Sequence, residues 1–91
     1  MAEAELDDAF EFYESVQGGL GFRFLTEVER SKTRITQFPH AYEMIGKYSR
    51  RCLVQKFPYG IIYQYIEAQK EVLIVAVSHL HRMPDYWSSR E

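Results

Sequence analysis

The spacing of apolar residues changes period once along this chain, and that change restricts the folds open to it. Leu6, Ala9, Phe10, Tyr13 and Val16 stand at offsets 0, 3, 4, 7 and 10, the repeat of one helix face. Phe24, Val28, Ser31, Ile35 and Phe38 follow at offsets 0, 4, 7, 11 and 14, with Leu25 widening the stripe. Beyond residue 50 the helical repeat stops. Short runs rich in β-branched and aromatic residues take its place, as strands require.

Glycine and proline punctuate these segments. Gln17-Gly18-Gly19-Leu20-Gly21 separates the two stripes, and Pro39 closes the second. The spacing predicts helices over Ala2–Val16 and Leu20–Phe38, joined as an antiparallel hairpin. Glu3, Glu5, Asp7 and Asp8 crowd the first turns, where the helix dipole favours negative charge, and their face of the helix should be solvated. Residues 40–49 read as a loop. Strands are expected over Arg51–Phe57, Ile61–Ile66 and Val72–Ser78, with Pro58-Tyr59-Gly60 and Glu67-Ala68-Gln69-Lys70 as the turns. The third strand is apolar at nearly every position, which predicts a central strand buried on both faces. The tail from His79 to Glu91 reads as loop or a short helix. Helices followed by strands indicate an α+β fold: one domain over residues 1–91, with a helical hairpin packed on a three-stranded antiparallel sheet.

A chain of 91 residues needs large side chains to fill a core, and aromatics make up 15% of this one. With 46% apolar residues, disorder is not expected. The net charge of −2 hides a split. Residues 1–29 hold eight acids and one base, whereas residues 30–91 hold ten bases and five acids, so the later part suits an anionic partner. The longest apolar run, Val72–Val77, has six residues against the about 20 of a membrane span. The acidic start carries no signal-peptide pattern, and the single Cys52 forms no intrachain disulfide; a reducing cytoplasm is the expected location.

The tail gathers the densest chemistry. Ser78-His79-Leu80-His81-Arg82-Met83-Pro84-Asp85-Tyr86-Trp87 brings imidazoles, a guanidinium, a phenol and an indole into ten residues. RNA cleavage needs a group to take the 2′-hydroxyl proton, a cation for the phosphate and a proton donor to the leaving oxygen. His79 or His81, Arg82 and Tyr86 are candidates for these catalytic roles. In the competing reading Tyr86 and Trp87 pack the sheet edge, and Arg82 meets a carboxylate from the first helix. A second set, Lys47, Arg50, Arg51 and Lys56, is a candidate for nucleic-acid phosphate binding or a charged edge that discourages strand addition. Arg50 and Arg51 alternate, so only one can face a given side. Tyr13, Phe57 and Tyr63 could stack bases, but their spacing favours the core. His79-x-His81 with Cys52 lacks the spacing of a structural metal site, Cys52 lies among apolar neighbours, and the Gly18-Gly19-x-Gly21 run joins helices and follows no strand. No metal and no cofactor is implied.

Several motifs in order resemble the RelE/ParE superfamily of bacterial toxins, also known as plasmid stabilisation proteins. They are Ala4-Glu5-Leu6-Asp7-Asp8-Ala9-x-x-x-Tyr13-Glu14, Gly19-Leu20-Gly21-x-x-Phe24-x-x-Glu27-Val28, Phe38-Pro39 with Arg50-Arg51-x-Leu53, Phe57-Pro58-Tyr59-x-Ile61-x-Tyr63, and Ala76-Val77-x-His79-x-x-Arg82-x-Pro84-x-Tyr86-Trp87. The resemblance implies a growth-inhibiting toxin neutralised by a cognate antitoxin. RelE-like members cleave mRNA on the ribosome without a metal; ParE-like members poison DNA gyrase. Ribosome-dependent mRNA cleavage is the expectation carried forward, with a gyrase poison or a toxin that only binds its antitoxin as the alternative. The tail looks more like the ParE side. Lys56 is the only lysine in the segment 51–57, so the lysine-rich set of strong RelE nucleases is not evident, while Arg51, Arg82 and Tyr86 could match RelE-type functional groups. Family members begin with a strand before the first helix, whereas this chain opens on the helix. Either the start codon is mis-assigned or this toxin lacks the strand, and a sheet without it would expose an edge that admits an antitoxin strand or a second copy in a homodimer.

Overall fold

The computed structural model describes residues 2–81 and 86–91. Its first two elements coincide with the two apolar stripes: α1 spans Ala2–Val16 and α2 spans Leu20–Gln37. The turn between them depends on Gly19, which takes φ 89° where it caps α2, a left-handed conformation that only a residue without Cβ adopts freely. Glu14 reaches across from α1 and accepts the amide protons of Gly19 at 3.2 Å and Gly21 at 2.7 Å. Donors that a helix start leaves unpaired are thereby satisfied by the preceding helix. Gly21 serves close approach: a Cβ there would lie 2.7 Å from the Phe10 carbonyl oxygen. α2 ends one residue before the expected Phe38, whose φ of −136° and ψ of 65° are imposed by Pro39.

Among the described residues the sheet has four strands, not the three expected: β1 (Glu43–Met44), β2 (Arg50–Leu53), β3 (Tyr59–Ile66) and β4 (Glu71–His79), antiparallel in the order β1-β2-β3-β4. β1 is two residues long and pairs with Arg50 and Arg51, too short to show a period in the sequence. β2 stops at Leu53, not Phe57. Val54 still donates its N–H to the Tyr59 carbonyl at 2.9 Å, but Lys56 takes φ 71° and the chain reverses. The four-residue β3–β4 turn forms as read, with Lys70 at φ 54°.

β4 is an edge strand, so its placement at the centre of the sheet is corrected. Its apolar run has another cause. The β3 register passes from Ala76 opposite Ile62 to Ile74 opposite Tyr63, skipping Val75. This bulge turns both Val75 and Ala76 to the face that Trp87 covers, while Val72, Ile74 and Val77 face the helices. Both sides of the strand are thus covered near its middle without neighbours on both edges.

The helices lie on one sheet face. Ala9, Phe24, Val28 and Ile35 meet Cys52, Val54, Ile61 and Tyr63 there. Tyr13, Phe24, Phe57 and Tyr59 form a cluster of rings with centroids 4.9–6.2 Å apart, so Tyr13, Phe57 and Tyr63 are core residues. Tyr63 is fully buried and donates its hydroxyl to the Pro39 carbonyl at 2.7 Å. Burial pushes its phenol up to about 12, against a smaller opposing effect of Arg50. Val16 and Phe38, the ends of the two stripes, are exposed. The opposite sheet face is covered near Ile62, Val75 and Ala76 by Trp87, which is 5% exposed. Gly46 leaves room for that indole, since a Cβ would come within 2.7 Å of it.

Candidate functional site

His79 and His81 are brought together at the exposed end of β4. Their ring centroids are 5.4 Å apart, and His79 stacks edge-on against Tyr59 at 5.0 Å. The His81 N–H donates to His79 Nδ1 at 3.1 Å. In the neutral imidazole the ring proton then sits on Nε2. Arg82, the third candidate of the tail, lies outside the described residues.

Tyr86 is placed differently. Its hydroxyl donates to the carboxylate of Glu5 on α1. The same carboxylate accepts from Arg90 at 2.7 Å and from the Val77 N–H at 3.4 Å, and Arg90 also donates to the Val75 carbonyl at 3.3 Å. Glu5 and Arg90 side chains are 11% and 16% exposed. Their mutual attraction is therefore little screened, and the tail is tied to both α1 and the open edge of β4. Arg90 thus sets a cation against the first helix, and the Arg82 contact expected there lies outside the described residues. At the far end of the tail, Glu91 accepts from Ser49 Oγ at 2.7 Å and the Tyr48 N–H at 2.8 Å. The Ser49 hydrogen bond holds its carboxyl below the usual range.

The basic set does not form one patch. Arg50 faces the helix side and donates to the carbonyls of Tyr42 at 2.7 Å and His40 at 3.2 Å. Arg51 faces the other side, 3.7 Å from Glu43, its stem lying over Gly60. Lys47 sits over the Tyr48 ring at 5.2 Å. Lys56 stands apart in the β2–β3 turn, 3.7 Å from Glu27. Cys52 is buried. Among the described residues no three His, Cys, Asp or Glu side chains converge on a metal-sized point.

The sequence reading missed Glu27. Counted there among the acids of the first third, Glu27 is 5% exposed. Its Oε2 lies 3.1 Å from Arg30 and 3.7 Å from Lys56, while the buried Oε1 has no hydrogen-bond partner among the described residues. The signal was available: Glu27 falls three residues after Phe24 and four before Ser31, inside the apolar stripe. Around it opens a cleft of about 410 Å³ between α2 and the β2–β3 turn, lined by Leu20, Arg23, Thr26, Glu27, Arg30, Lys56 and Phe57.

A helical hairpin on one face of an antiparallel sheet, with a charged tail closing the other, is an α+β arrangement consistent with the RelE/ParE superfamily, so the resemblance is borne out. The chain belongs to the ParE toxin family of the type II toxin–antitoxin system parDE, whose model matches residues 1–84. It is thus the toxin of a toxin–antitoxin pair, and membership implies a cognate antitoxin as its partner. No curated protein sequence matches the chain significantly. No described helix is long and apolar enough to cross a membrane.

Proposed function

We propose that this toxin stops growth by binding a protein target, with DNA gyrase the target that the resemblance to ParE-like toxins indicates, and that the antitoxin neutralises it by occupying its surface. The carrying observation is the Tyr86–Glu5–Arg90 cluster. A phenol that donates to a carboxylate already bridged to a guanidinium is poorly disposed to pass its proton to a leaving oxygen. Arg50 likewise commits one guanidinium nitrogen to two backbone carbonyls, a structural task.

Supercoiling by purified gyrase should fall with added toxin and recover when the antitoxin is supplied. Full supercoiling at saturating toxin excludes gyrase as the target. One observation favours a second reading, ribosome-dependent mRNA cleavage: the adjacent His79 and His81 imidazoles at the strand end. Primer extension in a translation extract separates the two. Cleavage that His79→Ala or Arg82→Ala abolishes would replace the binding mechanism with a nuclease, and unchanged transcripts at high toxin dose would exclude the nuclease.

A further inference from the structure

The cleft beside Glu27 has a composition that core packing does not explain. Three cations line it. Arg30 and Lys56 share a single oxygen of Glu27, and the Arg23 guanidinium makes no ion pair among the described residues. One acid against three bases leaves an excess of two positive charges. Glu27 is sealed beneath them, so the bases are drawn to one place and stay exposed there: Arg30 at 63% and Lys56 at 75% of the side chain. Lys56 is also one of only two described non-glycine residues with positive φ, at 71°. Glycine would hold that turn with less strain, so Lys56→Gly removes the charge without disturbing the turn. Leu20 and Phe57 add apolar walls.

We infer that this cleft is a docking site for an acidic segment of the cognate antitoxin: a carboxylate between Arg23, Arg30 and Lys56, followed by an apolar side chain seated between Leu20 and Phe57. The inference rests on the family's antitoxin partner but not on the gyrase mechanism. Charge decides against a nucleic acid here. α2 packs beside α1, where Glu3, Asp7, Asp8 and Glu11 are exposed, and Glu29 is exposed one turn from the cleft rim. The cleft sets its cations beside the apolar walls of Leu20 and Phe57, a mixture matched by a peptide that brings one or two carboxylates flanked by apolar residues and not by a polyanion.

The test pairs the full-length toxin with the antitoxin encoded by the adjoining reading frame, by isothermal titration calorimetry at two salt concentrations. Lys56→Gly should weaken the complex about tenfold and reduce its salt dependence. Because glycine accepts φ 71° freely, the melting temperature should stay near that of the wild type. Arg23→Glu, on an exposed position, should weaken binding further. Lys70→Gly is the matched control, since Lys70 is the other lysine with positive φ, at 54°, and lies on the far β3–β4 turn; its complex should be unchanged. Wild-type affinity in both Lys56→Gly and Arg23→Glu overturns the inference. Displacement of the antitoxin from the cleft by single-stranded RNA also overturns it, in favour of a nucleic-acid site. A wild-type toxin that binds no antitoxin at all removes the partner and the inference with it, an outcome distinguishable from binding that ignores the cleft.

Discussion

Tyr63 shows how one side chain carries both packing and a polar task. Its ring fills the centre of the helix-facing core, and its hydroxyl pairs the Pro39 carbonyl at the point where α2 gives way to the sheet. The folded phenol is pushed up to about 12, above the ordinary 10, so the native state binds this proton more tightly than the unfolded chain does. The stabilisation is complete below pH 10 and is lost as pH rises towards about 12, by on the order of 2 kcal/mol. Tyr63→Phe should cost about 1 kcal/mol at pH 7 through the lost hydrogen bond, then lose less stability than the wild type across the alkaline window. Urea unfolding at a series of pH values measures this, and parallel curves for the two proteins would contradict it. The aromatic content pointed to such a core. The partner of the hydroxyl was not legible, because a contact spanning 24 residues is set by the docking of α2 on the sheet.

Among the elements, the α1–α2 hairpin is the part most directly encoded. Its stripes, its glycine turn and its proline stop are all local signals. Gly21 also gives it a sharp test. Alanine there would place Cβ 2.5 Å from Glu14 Cγ and 2.7 Å from a backbone oxygen. Gly21→Ala should therefore destabilise by about 2–3 kcal/mol, whereas Gly18→Ala, with nothing within 4 Å, should stay within about 0.5 kcal/mol of the wild type. Thermal unfolding followed by circular dichroism compares them, and equal losses would refute the close-approach role. The strands were less legible. β1 has two residues and no pattern of its own; it exists because Arg50 and Arg51 offer it a ladder. An apolar run such as Val72–Val77 suits a central strand or a bulged edge strand equally well, and only the pairing register separates these.

Across the whole molecule, the two ends of the chain meet. Glu5 on the first helix binds Tyr86 and Arg90 of the tail and the amide of Val77, while Glu91 fastens the last residue to the β1–β2 turn. Glu5→Ala leaves the mostly buried Arg90 without its partner and should cost about 2–4 kcal/mol, read from chemical denaturation. A double-mutant cycle with Arg90→Ala should return a coupling of about 1–3 kcal/mol; additive losses would show that the pair contributes nothing as a pair. The same closure shapes the candidate site. It commits the Tyr86 hydroxyl to Glu5, and it places side chains of Glu5 and Arg90 on the otherwise open N–H and C=O groups of β4.

Local chemistry was enough to establish an α+β chain with a helical hairpin before an antiparallel sheet, because helical and strand periods, glycine turns and proline stops act over a few residues. The family motifs lay in the same local text. Which acids are solvated and which are buried was decided only by packing: Glu5 and Glu27 look like their neighbours in the acidic first third, yet one is bridged to the tail and the other lies beneath three cations. The commitment of the Tyr86 hydroxyl to Glu5 arose in the same way. Ion pairs and clefts join residues tens of positions apart, and their geometry exists only once the helices and the tail have closed on opposite faces of one sheet.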